Sequence, residues 1–308
     1  MLIVYISLVA GFILLVKGAD YFVDGASSIA KFFGMPSLVI GLTIVSIGTS
    51  APEGAVSITA ALSGSNDIAV GNLIGSNIFN TAVVVGVCAI IHAITVDKQI
   101  IKKEFPFMII CSILTGILLL DGVVSRVDGA ILFVAFLTYM VNVLIYALKS
   151  KAEPSEDTAR PNMIRASLTC LIGAAAIVVG GDFVVDAAQQ IALSFNLSES
   201  VIALTVVALG TSLPELVTSI VAANKGESDI AIGNVIGSNI FNMLFILGLS
   251  SMISPITPSA TAVIDVSVFI LIAISVYLIS RAKEKINLIS GILLVSTYAV
   301  YTAYLFIR

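Results

Sequence analysis

The sequence predicts an all-α integral membrane protein of ten transmembrane helices, arranged as two inverted five-helix repeats with helices broken at the membrane midplane. Three observations carry that prediction: long apolar runs, an ungapped internal duplication, and a one-sided distribution of Lys and Arg.

The apolar runs come first. The 308 residues are 58% hydrophobic and only 11% charged, with a mean hydropathy of +1.12. A soluble domain carries roughly a quarter charged residues to wet its surface. Here apolar runs reach the ~18 residues or more that a helix needs to cross a bilayer core of roughly 30 Å. The short alternating strands of a membrane β-barrel are not seen. Cys88, Cys111 and Cys170 lie inside apolar runs and read as small buried hydrophobes. His92 reads as an interfacial residue, so soft ligands are too few for a zinc or copper site. A scattered net charge of −4 offers nothing to nucleic acid. The first apolar stretch lacks the basic n-region and small-residue cleavage pattern of a signal peptide.

The duplication sets the architecture. Gly11 to Cys88 aligns with Gly173 to Ser250 at a constant offset of 162, and the match is densest in two blocks. Gly48-Thr49-Ser50-Ala51-Pro52-Glu53 matches Gly210-Thr211-Ser212-Leu213-Pro214-Glu215. Gly75-Ser76-Asn77-Ile78-Phe79-Asn80 matches Gly237-Ser238-Asn239-Ile240-Phe241-Asn242. Hydrophobicity alone does not keep glycines, asparagines and a glutamate in register.

Five spans fit each half. They lie near 2–24, 38–62, 68–93, 105–122 and 128–148, then near 163–186, 200–223, 230–254, 261–280 and 286–306. The chain therefore divides into a first repeat (1–148), a polar linker (149–162) and a second repeat (163–308). An odd number of spans inverts the second repeat relative to the first.

The basic residues support that count. With ten spans, one side receives Lys31, Lys98, Lys102, Lys103, Lys149, Lys151, Arg160, Arg165, Lys225, Arg281, Lys283 and Lys285. The other side receives only Arg126 and Arg308. The positive-inside rule then puts the linker in the cytoplasm and both termini outside the plasma membrane.

Glu53 and Glu215 fall near the centres of their spans. Even a lenient insertion scale charges roughly 2.5–3.5 kcal/mol for an acidic side chain there, so each marks a functional site. Thr49, Glu53 and Ser57 share a helix face with Ser50 beside them, and Asn72, Ser76 and Asn80 form a second stripe. The other repeat supplies Thr211, Ser212, Glu215 and Ser219, with Asn234, Ser238 and Asn242. Pro52 and Pro214 remove a backbone donor, and Gly48 and Gly210 ease local unwinding. Carbonyls freed near Ser46, Thr49, Ala208 and Thr211 would then line a midplane site. Every donor is oxygen, which suits Ca²⁺, and subsets of the same atoms suit Na⁺.

At these residues the chain resembles the sodium/calcium exchanger family, within the wider superfamily of cation/calcium exchangers. The resemblance rests on G-T-S-x-P-E followed at a fixed distance by G-S-N-I-F-N, twice, and extends over essentially the whole chain. It implies a Na⁺/Ca²⁺ antiporter of the prokaryotic type, working by alternating access. Glu53 and Glu215 would ligate Ca²⁺ with carbonyls of Thr49 and Thr211. Na⁺ would use these atoms plus Ser50, Ser212, Ser76, Ser238 and carbonyls near Ser46 and Ala208, with Asn80 and Asn242 beside the carboxylate pair. The family's load of three Na⁺ for one Ca²⁺ makes exchange electrogenic. No cofactor and no obligate protein partner is implied; the partners are the lipid bilayer and the transported ions. The family's proton-coupled relatives resemble G-N-x-x-E at the glutamate, and its potassium-dependent members carry Asp where Asn242 stands. The long cytoplasmic regulatory domain of animal members has no counterpart in a linker of about fourteen residues.

The alternatives are a Ca²⁺/H⁺ exchanger, or a membrane protein with no transport role; for an enzyme the sequence shows no nucleophile–base pair. Two features leave their readings open. Gly11, Gly18 and Gly25, repeated as Gly173 and Gly180, give either a smooth face that slides across the core or static close packing. Asp20, Asp24, Asp182 and Asp186, at span ends, read as solvated or capping residues.

Overall fold

The computed structural model describes residues 2–150, 161–194, 208–259 and 261–307, almost all of them helical. The first half holds α1 (Leu2–Phe33), α2 (Ser37–Thr49), α3 (Ala51–Leu62), α4 (Asn66–Ile91), α5 (residues 100–119) and α6 (Arg126–Lys149). The second holds α7 (Met163–Ser194), α8 (Ala208–Thr211), α9 (Leu213–Asn224), α10 (Ser228–Ile253), α11 (Thr261–Lys283) and α12 (Leu288–Leu305). Seven of these helices are long and apolar enough to cross a membrane, and the α2–α3 pair, bent by 50°, makes eight. The other two predicted spans fall on α5 and on α8–α9, the latter beginning within 195–207, outside the described residues. The centre of the linker, 151–160, also lies outside them.

The duplication persists in three dimensions. Helices α2–α3 and α8–α9 break at Ser50 and Ser212, and each next helix follows a glycine turn at Gly64 or Gly226, where φ is +75° and +77°. Glycine takes that left-handed conformation without steric cost. Two short backbone pairings tie the ends of the repeats together. Strands β1 (Ile94–Thr95) and β2 (Lys285–Ile286) pair Ile94 with Ile286, and a lone bridge pairs Val124 with Ile256. The offset of 162 interchanges these two contacts.

Helices α4 and α10 are largely enclosed by protein, while α1, α6, α7 and α12 turn Leu, Ile and Val side chains outward. That is the arrangement a bilayer rewards, with the carboxylates of Glu53 and Glu215 held in the bundle interior. The chain is a multi-pass, all-α membrane protein.

Two expectations are corrected, and one reading left open, that of the glycine stripes, falls to close packing. First, α1 and α7 each run 32 residues, well past the predicted ends at 24 and 186. Polar residues such as Ser27, Ser28 and Lys31 end the hydropathic run without ending the helix. Second, the glycine stripes do not face the core; they face each other. A Cβ on Gly25 would stand 2.5 Å from the Cys170 nitrogen, one on Gly18 3.0 Å from the Gly173 carbonyl, and one on Gly180 2.7 Å from the Leu15 nitrogen. Helices α1 and α7 thus lock antiparallel through backbone contact, the small-residue packing that membranes favour. Third, Gly48 and Gly210 do not loosen the chain, because both sit in helical turns. Gly48 instead admits the ring of Phe22 from α1, and Gly210 admits Val185 from α7.

Candidate cation site

The site begins at the two helix breaks. Ser50 (φ −85°, ψ 7°) and Ser212 (φ −93°, ψ 3°) interrupt the helix, and Pro52 and Pro214 sit in the first turn of the new one. Proline is tolerated there because its missing N–H had no intrahelical partner. Glu53 and Glu215 follow in the same turn, where the positive end of the helix dipole favours a carboxylate. The Ser-x-Pro-Glu spacing looks like a capping box, yet neither serine caps its own helix. Their hydroxyls cross to the other repeat. Ser50 Oγ donates to Glu215 Oε1 at 2.8 Å, and Ser212 Oγ donates to Glu53 Oε1 at 3.1 Å.

Helices α4 and α10 complete the arrangement. Ser76 Oγ donates to Glu53 Oε1 at 2.8 Å and lies in close contact with the Ser212 hydroxyl. Ser238 Oγ bonds Glu215 Oε1 and the Ser46 carbonyl, each at 3.4 Å. The Ser46 carbonyl also accepts the Ser50 amide at 3.0 Å. One turn beyond Ser76 and Ser238 stand Asn80 and Asn242, fully buried at turns of π-helix (Asn80–Val84 and Phe241–Ile246). Such wide turns recur at functional sites because they re-aim side chains.

Four oxygens in this region are buried without any hydrogen-bond partner: Glu53 Oε2, Glu215 Oε2, Asn80 Oδ1 and Asn242 Oδ1. They form two pairs related by the repeat. All are acceptors, and among the described residues no basic side chain pairs with either glutamate. Leaving a buried acceptor unsatisfied costs roughly 1–3 kcal/mol, more if it is charged. The contrast with the other buried acids is instructive. Glu104 takes the Tyr139 hydroxyl at 3.1 Å, and Asp265 takes that of Tyr301, the equivalent tyrosine, at 3.0 Å. Among the described buried acids only Glu53 and Glu215 keep an open oxygen, and a cation is the natural complement for two carboxylates and two amide oxygens.

The remaining candidates divide. Thr49 and Thr211 close the helices before the breaks, and their hydroxyls bond Asn234 Oδ1 at 3.0 Å and Asn72 Oδ1 at 3.3 Å. Asn72 Nδ2 reaches Ser57 Oγ at 2.9 Å and the Glu53 carbonyl at 3.3 Å; Asn234 Nδ2 reaches Ser219 Oγ at 3.0 Å and the Glu215 carbonyl at 3.5 Å. Asn72, Asn234, Ser57 and Ser219, which the helical stripes place beside the glutamates, are therefore spent on bracing the broken helices. Ala208 opens α8, the helical turn that ends at the Ser212 break.

Sequence reasoning passed over Asn77 and Asn239, although both stand in the repeated motif, and it missed the role of Lys225. Lys225, in the turn between α9 and α10, reaches Asp20 Oδ1 at 2.8 Å and Asp24 Oδ1 at 2.7 Å on α1. Ser27 Oγ donates to Glu227 Oε1 at 2.8 Å beside it. Asp20 and Asp24 are thus ion-paired at the surface, which adds a partner to their reading as solvated residues. Helix α1 so lies along α9, and among the described residues α7 packs far less closely on α3. Ala55 and Thr59 on α3 are exposed beside a cavity of about 430 Å³, whereas their counterparts Val217 and Val221 are half-buried. Ser63 stands where the second repeat has Lys225.

With this geometry in view, the relatives agree. The family model described as "Sodium/calcium exchanger protein" matches residues 3–145 and 166–307, one block per repeat. A putative antiporter, CaxA, of Alkalimonas amylolytica is 38% identical, covering 99% of each chain. The sodium/calcium exchanger MaX1 of Methanosarcina acetivorans is 33% identical over 98% of each. The solved structure of the sodium-calcium exchanger NCX_Mj, soaked with Na⁺ and Sr²⁺, superposes with a TM-score of 0.88 at 33% identity, covering 98% of each chain. The chain belongs to the sodium/calcium exchanger family.

Proposed function

We propose that this protein is a secondary active antiporter that exchanges Na⁺ for Ca²⁺ across the plasma membrane. The observation that carries the proposal is the set of four unpartnered buried oxygens on Glu53, Glu215, Asn80 and Asn242. Two carboxylates balance one Ca²⁺. Hydroxyls of Ser50, Ser212, Ser76 and Ser238 and carbonyls of Thr49, Thr211, Ser46 and Ala208 supply further hard oxygens for Na⁺. Three Na⁺ on the same two charges leave one positive charge, so a three-for-one cycle carries net charge, worth about 2.3 kcal/mol per 100 mV.

The unequal packing of the repeats supports alternating access. Helices α1 and α7, locked to each other through their glycines, move as one body across the broken helices. In this conformation α1 covers α9 while α3 stands open. The opposite tilt would lay α7 on α3 and free α9. Ten spans in two inverted repeats (1–148 and 163–308, joined by 149–162), with both termini outside, place α9's covered end at the cytoplasm. The conformation is then the one open to the exterior.

Proteoliposomes loaded with Na⁺ test the proposal by uptake of ⁴⁵Ca²⁺ on dilution into Na⁺-free medium. Uptake that follows the Na⁺ gradient and responds to membrane potential supports it. Uptake driven by a pH step and indifferent to Na⁺ assigns the chain to Ca²⁺/H⁺ exchange instead.

A further inference from the structure

An asparagine is an ambiguous ion ligand. Its amide carries an acceptor oxygen and a donor NH₂ of nearly equal size, and only the oxygen attracts a cation. A helix can place Asn80 and Asn242 beside the carboxylates, but it does not decide which end of the amide faces them. From the surrounding contacts we infer that Asn77 and Asn239 are positioning residues, which hold the amides of Asn242 and Asn80 with their oxygens turned to the transported cation. The inference rests on the reading of the central cluster as a cation site.

The geometry is reciprocal between repeats. Asn242 Nδ2 donates to Asn77 Oδ1 at 3.0 Å, and Asn80 Nδ2 donates to Asn239 Oδ1 at 3.4 Å. Each candidate ligand thus gives its NH₂ to the asparagine three residues before its own counterpart, across the contact between α4 and α10. In both cases the oxygen at the other end is the one left without a partner. The polarity of the network is fixed from outside. Asn77 Nδ2 donates to the backbone carbonyl of Asn239 at 3.4 Å, and a backbone carbonyl cannot flip. Asn239 Nδ2 is held by Thr81 Oγ1 at 2.7 Å, with Met108 Sδ at 3.5 Å. All four asparagines are buried, so water cannot take over either role. Polar glue between membrane helices would need no such direction. A network that spends every NH₂ away from the cluster and leaves both oxygens bare has one.

A double-mutant cycle separates positioning from glue. Wild type, Asn77→Ala, Asn242→Ala and the double variant are compared for Ca²⁺ binding in detergent, half-saturating Ca²⁺ in Na⁺-driven uptake, maximal rate and melting temperature. If Asn77 acts through Asn242, Asn77→Ala raises half-saturating Ca²⁺ by about five-fold or more, the size of one lost hydrogen bond, with little change in maximal rate. The double variant is then no weaker than Asn242→Ala alone. Additive losses, or a fall in melting temperature with Ca²⁺ affinity unchanged, overturn the inference while leaving the cation site standing. Absence of Ca²⁺ binding by wild type overturns both. Should Asn77→Ala not fold, Asn77→Ser enters the same cycle. Asn239→Ala paired with Asn80→Ala is the second arm, and it must show the same non-additivity.

Discussion

Replacing Gly180 by alanine tests whether α1 and α7 are locked by direct backbone contact. The new Cβ would lie 2.7 Å from the Leu15 nitrogen and 2.8 Å from the Gly11 carbonyl. Ordinary contact begins at 3.4 Å, so α1 must retreat by 0.7 Å (3.4 − 2.7), and no flexible side chain can yield in its place. Overpacking of this kind costs roughly 1–3 kcal/mol. Alanine recovers up to about 1 kcal/mol of helix propensity. The net loss is about 0–2 kcal/mol, and a control that keeps the propensity gain without the clash should be about 1–3 kcal/mol more stable, melting roughly 2–12 °C higher. Gly116→Ala is the control, since its Cβ meets nothing nearer than Val266 Cγ1, at 3.4 Å, and keeps the propensity gain. The assay is thermal unfolding of both purified variants in one detergent. Equal melting temperatures would refute the locked pair, and with it the account of α1 and α7 moving as one body.

Ser50→Ala and Ser212→Ala each remove a hydroxyl that reaches a buried carboxylate of the other repeat. A hydrogen bond to a charged group is worth roughly 1.5–3 kcal/mol, so each is expected to raise half-saturating ion concentrations about ten-fold or more in proteoliposome flux. A large effect from one serine alone would break the claimed equivalence. Lys225→Met removes both pairs that hold α1 over α9, and is expected to speed labelling of a cysteine at buried Val23 from the cytoplasmic side; an unchanged rate refutes the closure. Burial alone would lower the Lys225 ammonium, but hydrogen bonds and charges from Asp20 and Asp24 outweigh it and hold its pKa above 10.5. That contribution is fully present at lower pH and is lost only as pH rises through the raised value. The ratio of labelling rates between Lys225→Met and the lysine-containing protein should therefore not change between about pH 7 and 9, the thiolate fraction being common to both. For topology, Lys98→Cys should react only from the cytoplasm and Asp121→Cys only from outside, and reaction of both from one side overturns the inverted repeat.

The readable parts of this protein were those with a high local cost. A carboxylate in an apolar span is expensive, and a repeat that keeps Glu53, Glu215 and their glycines in register is hard to mistake. Residue type also marked Ser50, Ser76, Asn80 and their counterparts as oxygen donors. What it left out is direction. Asn72 and Asn80 lie on one face of one helix, yet Asn72 is spent on Ser57 and a backbone carbonyl while Asn80 keeps its oxygen open. The π-helical turns at 80–84 and 241–246 that separate those roles have no signature in hydrophobic periodicity. Partners distant in sequence were equally hidden: Gly48 was read as a loosening residue because Phe22, 26 positions earlier, is invisible to local propensity. Lys225 counted only as a cytoplasmic charge, although Asp20 and Asp24 are its partners.

The central claim is that Glu53 and Glu215 together hold the transported Ca²⁺. Its most direct test is ⁴⁵Ca²⁺ uptake into Na⁺-loaded proteoliposomes by wild type, Glu53→Gln and Glu215→Gln, with each variant's fold checked by its melting curve. An amide keeps the shape of the carboxylate and removes its charge. The account predicts Na⁺-dependent uptake by wild type and its loss in both variants; uptake at the wild-type rate by either one contradicts it.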